Sequence, residues 1–328
     1  MHPELDDPVL TVANLRVGLG AGPRIVDGVD IALRRGGILC LVGESGSGKS
    51  LTALSLMRLL PPAMQVSHDR FLLDGEDLGS AGEKRLNDIR GNRMAMVFQE
   101  PMTALNPVMT VGDQITETLV VHQRLSRDVA REVALAMFRQ VQIPAPETRL
   151  RAFPHQLSGG MRQRVMIAMA LICKPDVLIA DEPTTALDVT IQSQILRLID
   201  DLRTQLGTAV LFITHNLAVV AEIADEIAVM YAGRIVERAS REALFGDPMH
   251  PYTLALFAAL PRAEDRGRPL AAIDGQVPAA GAMPTGCRFA PRCPFAVSRC
   301  REEYPPLREI RPEHWVSCWR APIEEHVE

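Results

Sequence analysis

No apolar run in this sequence approaches the roughly 18 residues that a membrane-spanning helix needs. The best contender, Val165–Cys173, is too short and reads as a buried helix. A basic excess is also missing: 35 Lys and Arg stand against 40 Asp and Glu, a net charge of -5 over 328 residues. That balance gives no footprint for nucleic acid and serves solubility. The first residues, Met1 to Asp7, are acidic and lack an apolar stretch, so no secretory leader is expected. No internal repeat is visible, which argues for one functional unit and not a fused pair. Cysteine is scarce outside the C-terminal stretch. Of six, only Cys40 and Cys173 lie earlier, both in apolar contexts that suit small core side chains. What remains is ordinary soluble composition, 47% hydrophobic and 23% charged. The length suits one large α/β domain with an extension, or two domains, with a core that needs no staple.

Residues 9–42 read as short alternating strands ending in the apolar run Ile38–Val42. A Gly/Ser loop spans Gly43–Ser50, and Leu51–Leu60 has helical apolar spacing stopped by Pro61 and Pro62. Further short strands follow to Met94–Phe98, then helical spacing from about Val111 to Gln142. A second alternation places strands at Val177–Ala180 and Val210–Thr214 and helices at Ile191–Leu206 and Leu217–Ile223. Such alternation predicts a mostly parallel sheet with helices on its faces. After about Pro261 the texture turns to Pro, Gly, Arg and Cys, and a domain boundary is expected there.

Gly43-Glu-Ser45-Gly46-Ser47-Gly48-Lys49-Ser50, with Leu51 opening the helix, follows a strand. It fits the P-loop pattern G-x-x-x-x-G-K-S/T. Glycines let backbone N–H groups curl around phosphate oxygens, and the helix N-terminus adds its positive dipole end. Lys49 would reach the β- and γ-phosphates, and the Ser50 hydroxyl would ligate Mg²⁺. Downstream, the apolar strand Val177–Ala180 delivers two adjacent carboxylates. Asp181 suits the Mg²⁺ shell and Glu182 suits a base that polarises the attacking water. An Asp-Glu pair after a strand is weak alone and strong beside a P-loop.

Leu157-Ser158-Gly159-Gly160-Met161-Arg162-Gln163-Arg164 precedes that strand. Ser158 reads as a helix cap and the glycines allow close backbone approach, making a second anion-binding helix start. One nucleotide rarely needs two, so the second is expected to serve a nucleotide held by a neighbouring subunit. Here the sequence resembles the ATP-binding-cassette family, whose signature reads LSGGQ with close variants. The resemblance spans roughly residues 9–260. Gln99 matches the Q-loop, Ala186-Leu187-Asp188 the D-loop, and His215 the switch histidine.

The resemblance implies a P-loop NTPase fold: a mostly parallel core, an N-terminal antiparallel β subdomain and a helical insert at about residues 100–165. It implies ATP hydrolysis by two cassettes packed head-to-tail. Lys49, Ser50, Gln99, Asp181, Glu182 and His215 would come from one subunit, and Ser158, Gly159 and Gly160 from the other. Gln99 would link the metal to the transmembrane partner. Residues 15–25 hold no aromatic for adenine; Arg24 could stack there, or Leu19 pack. Asn216 stands where the family commonly has Asp, and Gly36-Gly37 where it has Gly-Glu. Neither change removes a catalytic group.

Cys287, Cys293, Cys300 and Cys318 form the remaining constellation, with His250-Pro-Tyr-Thr253 upstream. In a cytosolic chain such a cluster suggests metal before disulfides. Zinc sites favour shorter gaps, whereas Fe–S ligation tolerates varied spacing. A 4Fe-4S cluster, zinc, and free thiols or a disulfide all remain open on spacing. These features resemble the di- and oligopeptide importer ATPases, some of which hold a 4Fe-4S cluster on four such cysteines. The chain then divides into a nucleotide-binding domain, residues 1–260, and a cysteine-rich extension, residues 261–328. The resemblance implies a second ATPase subunit (a copy or a homologue), two membrane permease subunits, and indirectly an extracytoplasmic peptide-binding protein. It places the chain peripherally at the cytoplasmic face of the plasma (inner) membrane. Related cassettes serve nickel, glutathione or sugar-like solutes. A soluble cassette ATPase is the rival enzyme reading, but those usually carry coiled-coil insertions or two cassettes. A nucleotide-dependent scaffold is disfavoured by the intact Lys49, Asp181, Glu182 and His215.

Overall fold

A computed structural model describes residues 8–20, 22–100, 104–185, 188–259 and 273–323. The strands are β1 (Leu10–Leu19), β2 (Arg24–Leu33), β3 (Ile38–Val42), β4 (Met64–Ser67), β5 (Arg70–Leu73), β6 (Glu76–Asp77) and β7 (Met94–Val97). They continue with β8 (Val177–Asp181), β9 (Ala209–Thr214), β10 (Glu226–Tyr231), β11 (Arg234–Ser240), β12 (Arg308–Arg311) and β13 (His314–Val316). The chain forms two compact units, each assembled from separate stretches. One holds Leu33–Gly37 and Leu72–Phe212, the other Thr11–Ala32, Ile38–Phe71 and the chain from Ile213 onward.

In the first unit β7 and β8 pair in parallel, Met94 opposite Val177 through Val97 opposite Ala180. Every residue of β8 is buried, the continuous apolar strand expected inside a parallel sheet. Two helices, Val111–Gln123 and Arg127–Gln140, fill the expected helical stretch. The second buries Ala130, Ala134, Met137 and Phe138, one face at helical spacing. Thr110 and Ser126 cap them by accepting the N–H of Asp113 and Val129. The buried-helix reading of Val165–Cys173 holds as far as Leu171, with Ile172 and Cys173 buried in the turn that follows. Gly159–Leu171 is one helix, and Val165, Ile167 and Ala168 are fully buried in it.

In the second unit β3, buried along its length, pairs in parallel with β10. β10 pairs antiparallel with β11, β11 with β13, and β13 with β12. β4 lies antiparallel on β1. The C-terminal stretch thus contributes two strands to a sheet, although its Pro- and Arg-rich texture shows no strand periodicity. The expected boundary near residue 261 lies outside the described residues.

Glu237, on β11 and fully buried, explains part of this attachment. It accepts the N–H of Met249 (2.7 Å), the N–H of His250 (3.0 Å) and Nε2 of His314 (2.8 Å). A buried carboxylate is tolerated only when so satisfied. Burial lowers the pKa of His250 to about 4, against the pull of Glu237 and a backbone bond to Ser317.

Candidate active site

The phosphate loop lies in the second unit, between β3 and the helix Lys49–Leu56. Its backbone demands glycine. Gly43 has φ +156° and an added Cβ would lie 2.2 Å from the carbonyl oxygen of Met230. Gly48, at φ +106°, stands at the helix N-cap without a side-chain cap, and no acidic residue occupies the first turn. The helix start thus presents its positive dipole end at the loop with no acidic side chain of its own to offset it. Lys49 is only 6% exposed, and its Nζ donates to the carbonyls of Gly43 (2.7 Å) and Glu44 (2.9 Å) and to Ser47 Oγ (3.4 Å). The ammonium is thus held across the mouth of the loop, where incoming phosphate oxygens can replace carbonyls. Ser45 and Gly46 form the exposed tip, while Ser47 is buried and Ser50 and Leu51 are half-buried. His215 follows β9 in the same unit and is exposed. Its neighbour Asn216 caps the helix Leu217–Ile223 by accepting the Ala218 N–H at 3.0 Å. That use of Asn216 fits its place in this sequence, since Asn caps as well as Asp.

The carboxylates lie in the first unit, at the end of β8. Asp181 is buried (5% exposed), and Glu182 adopts a left-handed backbone at φ +47°. A non-glycine residue there carries strain, a common mark of functional sites. Gln99 Nε2 donates to Glu182 Oε2 at 3.0 Å, and Thr185 Oγ1 donates to the same oxygen at 2.9 Å. The structure therefore brings Gln99 and Glu182 together. It adds Thr185, which no sequence pattern had marked. In the same unit Ser158 caps the helix Gly159–Leu171, its Oγ accepting the Met161 N–H at 3.3 Å. Gly159 has open space around a would-be Cβ, and at Gly160 it would meet Ile191 at 3.1 Å. Asp188 caps the helix Val189–Leu206 by accepting the Ile191 N–H at 3.0 Å. Ala186 and Leu187 of the expected D-loop lie outside the described residues.

Of the two adenine candidates, Arg24 is engaged with Asp27 at 3.3 Å, while Leu19 is 50% exposed. Asp27 also accepts from Arg234 (2.5 Å) and Arg288 (2.7 Å).

The four C-terminal cysteines are free thiols and line one cavity, together with His250 and Phe289. Burial raises the Cys287 thiol, lifts Cys293 to about 11 and Cys318 to about 12. The N–H of Arg320 donates to Cys318 Sγ at 3.4 Å. Among the described residues, no three His, Cys, Asp or Glu side chains converge as ligands of one metal ion. Cys40 and Cys173 are buried as core residues, and burial raises both thiols, Cys173 to about 11.

A glycine-lined loop with a cross-loop lysine, opening a helix after a buried strand, defines a P-loop nucleotide-binding protein. Comparison with known proteins narrows the class. The profile of the "ABC transporter" family matches residues 26–185. One described as "Oligopeptide/dipeptide transporter, C-terminal region" matches residues 236–300. The chain is 54% identical to a probable peptide ABC transporter ATP-binding protein of Sinorhizobium fredii, over 91% of this chain and 90% of that one. It is 48% identical to the dipeptide transport ATP-binding protein DppD of Bacillus subtilis, over 95% of each chain. Among solved structures, cbiO1 of Clostridium perfringens superposes with a TM-score of 0.63 at 27% identity, over 74% of this chain and 92% of that one. The ATP-binding cassette MJ0796, dimeric and bound to ADP and Pi, gives 0.63 at 26% identity, over 71% and 98%. The chain belongs to the ABC transporter ATPase family, in its oligopeptide/dipeptide branch. ATP is the nucleotide and its hydrolysis the reaction of that family.

Proposed function

We propose that this chain is one of two ATPase subunits that drive import of di- or oligopeptides through two membrane permeases. The observation that carries the reading is the joint presence of the phosphate loop and an extension that matches the oligopeptide/dipeptide transporter region. The relatives' names, peptide and dipeptide transport ATP-binding proteins, support it. Among the described residues no helix is long and apolar enough to cross a membrane. Membrane passage then falls to partner chains, with this one peripheral on the cytoplasmic face and a peptide-binding protein acting indirectly from the far side.

In the proposed mechanism the amides of Gly43–Leu51 and the Lys49 ammonium hold the β- and γ-phosphates. Ser50, Asp181 and Gln99 would hold Mg²⁺, whose charge would offset that building on the transferred phosphoryl group. The buried Asp181 and the glycine-built cradle fit such ligands. Glu182 accepts the proton of the attacking water as it bonds to the γ-phosphorus, and the bond to the β-phosphate oxygen breaks to leave ADP and phosphate. His215 contacts the γ-phosphate. Ser158, Gly159, Gly160 and Asp188 serve the nucleotide of the partner cassette, as a capped helix start facing outward would.

We also propose that the extension holds a 4Fe-4S cluster on Cys287, Cys293, Cys300 and Cys318. Four free thiols lining one cavity support a thiolate-held group there, and the long, uneven gaps between the cysteines suit Fe–S ligation better than zinc, which is the alternative on the same four residues. Its role would be structural, tying the extension down.

The test is peptide uptake and ATP turnover by the complex reconstituted in vesicles, wild type against Glu182→Gln. Loss of both supports the reading. Turnover without ATP-dependent peptide uptake would favour another solute, and unchanged turnover where this chain supplies the sole competent site would remove Glu182 from the mechanism.

A further inference from the structure

The extension touches the phosphate loop itself. Arg292, next to Cys293, donates from Nη1 to Glu44 Oε2 at 3.0 Å and to the Tyr231 hydroxyl at 3.3 Å. Its Nε and Nη2 donate to the carbonyls of Asp274 (2.8 Å) and Ile273 (3.0 Å). The side chain is 7% exposed, so this guanidinium is fixed in place. Glu44 is the loop residue directly after Gly43. Its N–H donates to the Tyr252 hydroxyl at 2.8 Å. Tyr252 is fully buried, and burial raises its phenol, which keeps the hydroxyl neutral. Its own N–H is held by His250 Nδ1 at 3.0 Å. The rings of Tyr231, Tyr252 and Phe289 pack with centroids 4.7 to 5.4 Å apart.

A second grip lies on the other side of the loop tip. Arg288 donates to Asp27 and to the carbonyl of Ala232. The following residue, Gly233, donates its N–H to the Ser47 carbonyl at 2.7 Å. Glu44 and Ser47 flank Ser45 and Gly46, and their own peptide planes are joined by the Ser47 N–H donating to the Glu44 carbonyl at 3.1 Å. An N–H committed to Tyr252 is not aimed at phosphate. Its direction sets the peptide plane from which the next amides curl, and amides aimed in advance bind an anion without paying to order themselves.

We propose that Tyr252 and Arg292 are positioning residues of the nucleotide site: through Glu44 they hold the phosphate loop in its receiving curvature. The extension would then be part of the ATP site as well as an appendage to it. The inference rests on the ATPase reading above.

Equilibrium binding of a fluorescent ATP analogue to the full chain tests it, alongside KM and kcat of the assembled transporter. Tyr252→Phe keeps the buried ring and removes the hydroxyl. Arg292→Lys keeps the charge and removes the fork. Each should weaken nucleotide binding about tenfold and raise KM with kcat retained, while the melting temperature of the nucleotide-free chain stays within a few degrees. In a Glu44→Ala background, Arg292→Lys should add little, because the acceptor it acts through is gone. Unchanged affinity in Arg292→Lys would overturn the proposal. So would a loss that follows melting temperature alone, or one equally large in the Glu44→Ala background. Should Tyr252→Phe fail to fold, Arg292→Lys and the Glu44→Ala cycle decide. A wild-type chain that binds the analogue no better than Lys49→Ala would instead strike the ATPase reading.

Discussion

Gln99 and Glu182 are tied by a single hydrogen bond, Nε2 to Oε2 at 3.0 Å, and the same carboxylate oxygen also receives the Thr185 hydroxyl at 2.9 Å. The proposed base thus reaches its strained position after β8 already oriented. Glu182→Gln should retain ATP binding and lose about 10²- to 10⁴-fold in turnover. Thr185→Ala should cost far less, since Gln99 still donates to the same carboxylate oxygen. Steady-state hydrolysis with a parallel binding measurement checks this. Loss of binding in Glu182→Gln would show that the residue supports the fold and not the chemistry.

Gly43→Ala should abolish nucleotide binding. Its Cβ would meet the Met230 carbonyl oxygen at 2.2 Å, a backbone atom that cannot swing aside, and β10 would have to shift. Gly46→Ala should be milder: φ is +80°, but nothing lies within 4 Å of its would-be Cβ. Nucleotide titration and thermal melting of both variants give the ranking, which inverts if local space is not what matters.

Asp27 sets an acid limit on stability. Burial alone would raise its carboxyl, but hydrogen bonding and charge from Arg234, with Arg288 and Arg24, offset that and the pKa is lowered. A carboxylate lowered in the fold below its ordinary value of about 3.9 contributes stability at higher pH and loses it as pH falls through the folded value. Asp27→Asn should destabilise the chain at neutral pH by about 3 kcal/mol, since it leaves buried guanidinium charge without its partner. It should also flatten the fall in stability below about pH 4. Melting temperature against pH, wild type beside variant, reads both effects, and parallel curves would contradict them.

Anaerobic purification should give brown protein with broad absorbance near ~400 nm and about four irons per chain. Cys300→Ala should bleach it. A colourless chain with stoichiometric zinc would replace the cluster with a zinc site.

The local features were legible because they repeat over short distances. The strand before Gly43, the cap at Ser158 and the helical spacing from Val111 to Gln142 are all written in neighbouring residues. The acid pair at Asp181 and Glu182 was visible too, but its orientation by Thr185 depends on a turn that brings residues three apart together. Tertiary ties were not legible. Arg288 meets Asp27 across 261 positions, and Arg292 meets Glu44 across 248. An arginine in a Pro-rich stretch reads as surface until the partner carboxylate is seen. The strands β12 and β13 escaped for a similar reason, being short and defined by pairing, β13 to β11 and β12 to β13, and not by their own pattern.

Glu237 turns the extension from an optional attachment into a dependency. An acid at this fully buried position is tenable while Met249, His250 and His314 all bond to it. A cassette trimmed before β13 would keep the charge and forfeit one of its donors, so shortened expression fragments of this chain should be poorly soluble unless position 237 is made apolar at the same time.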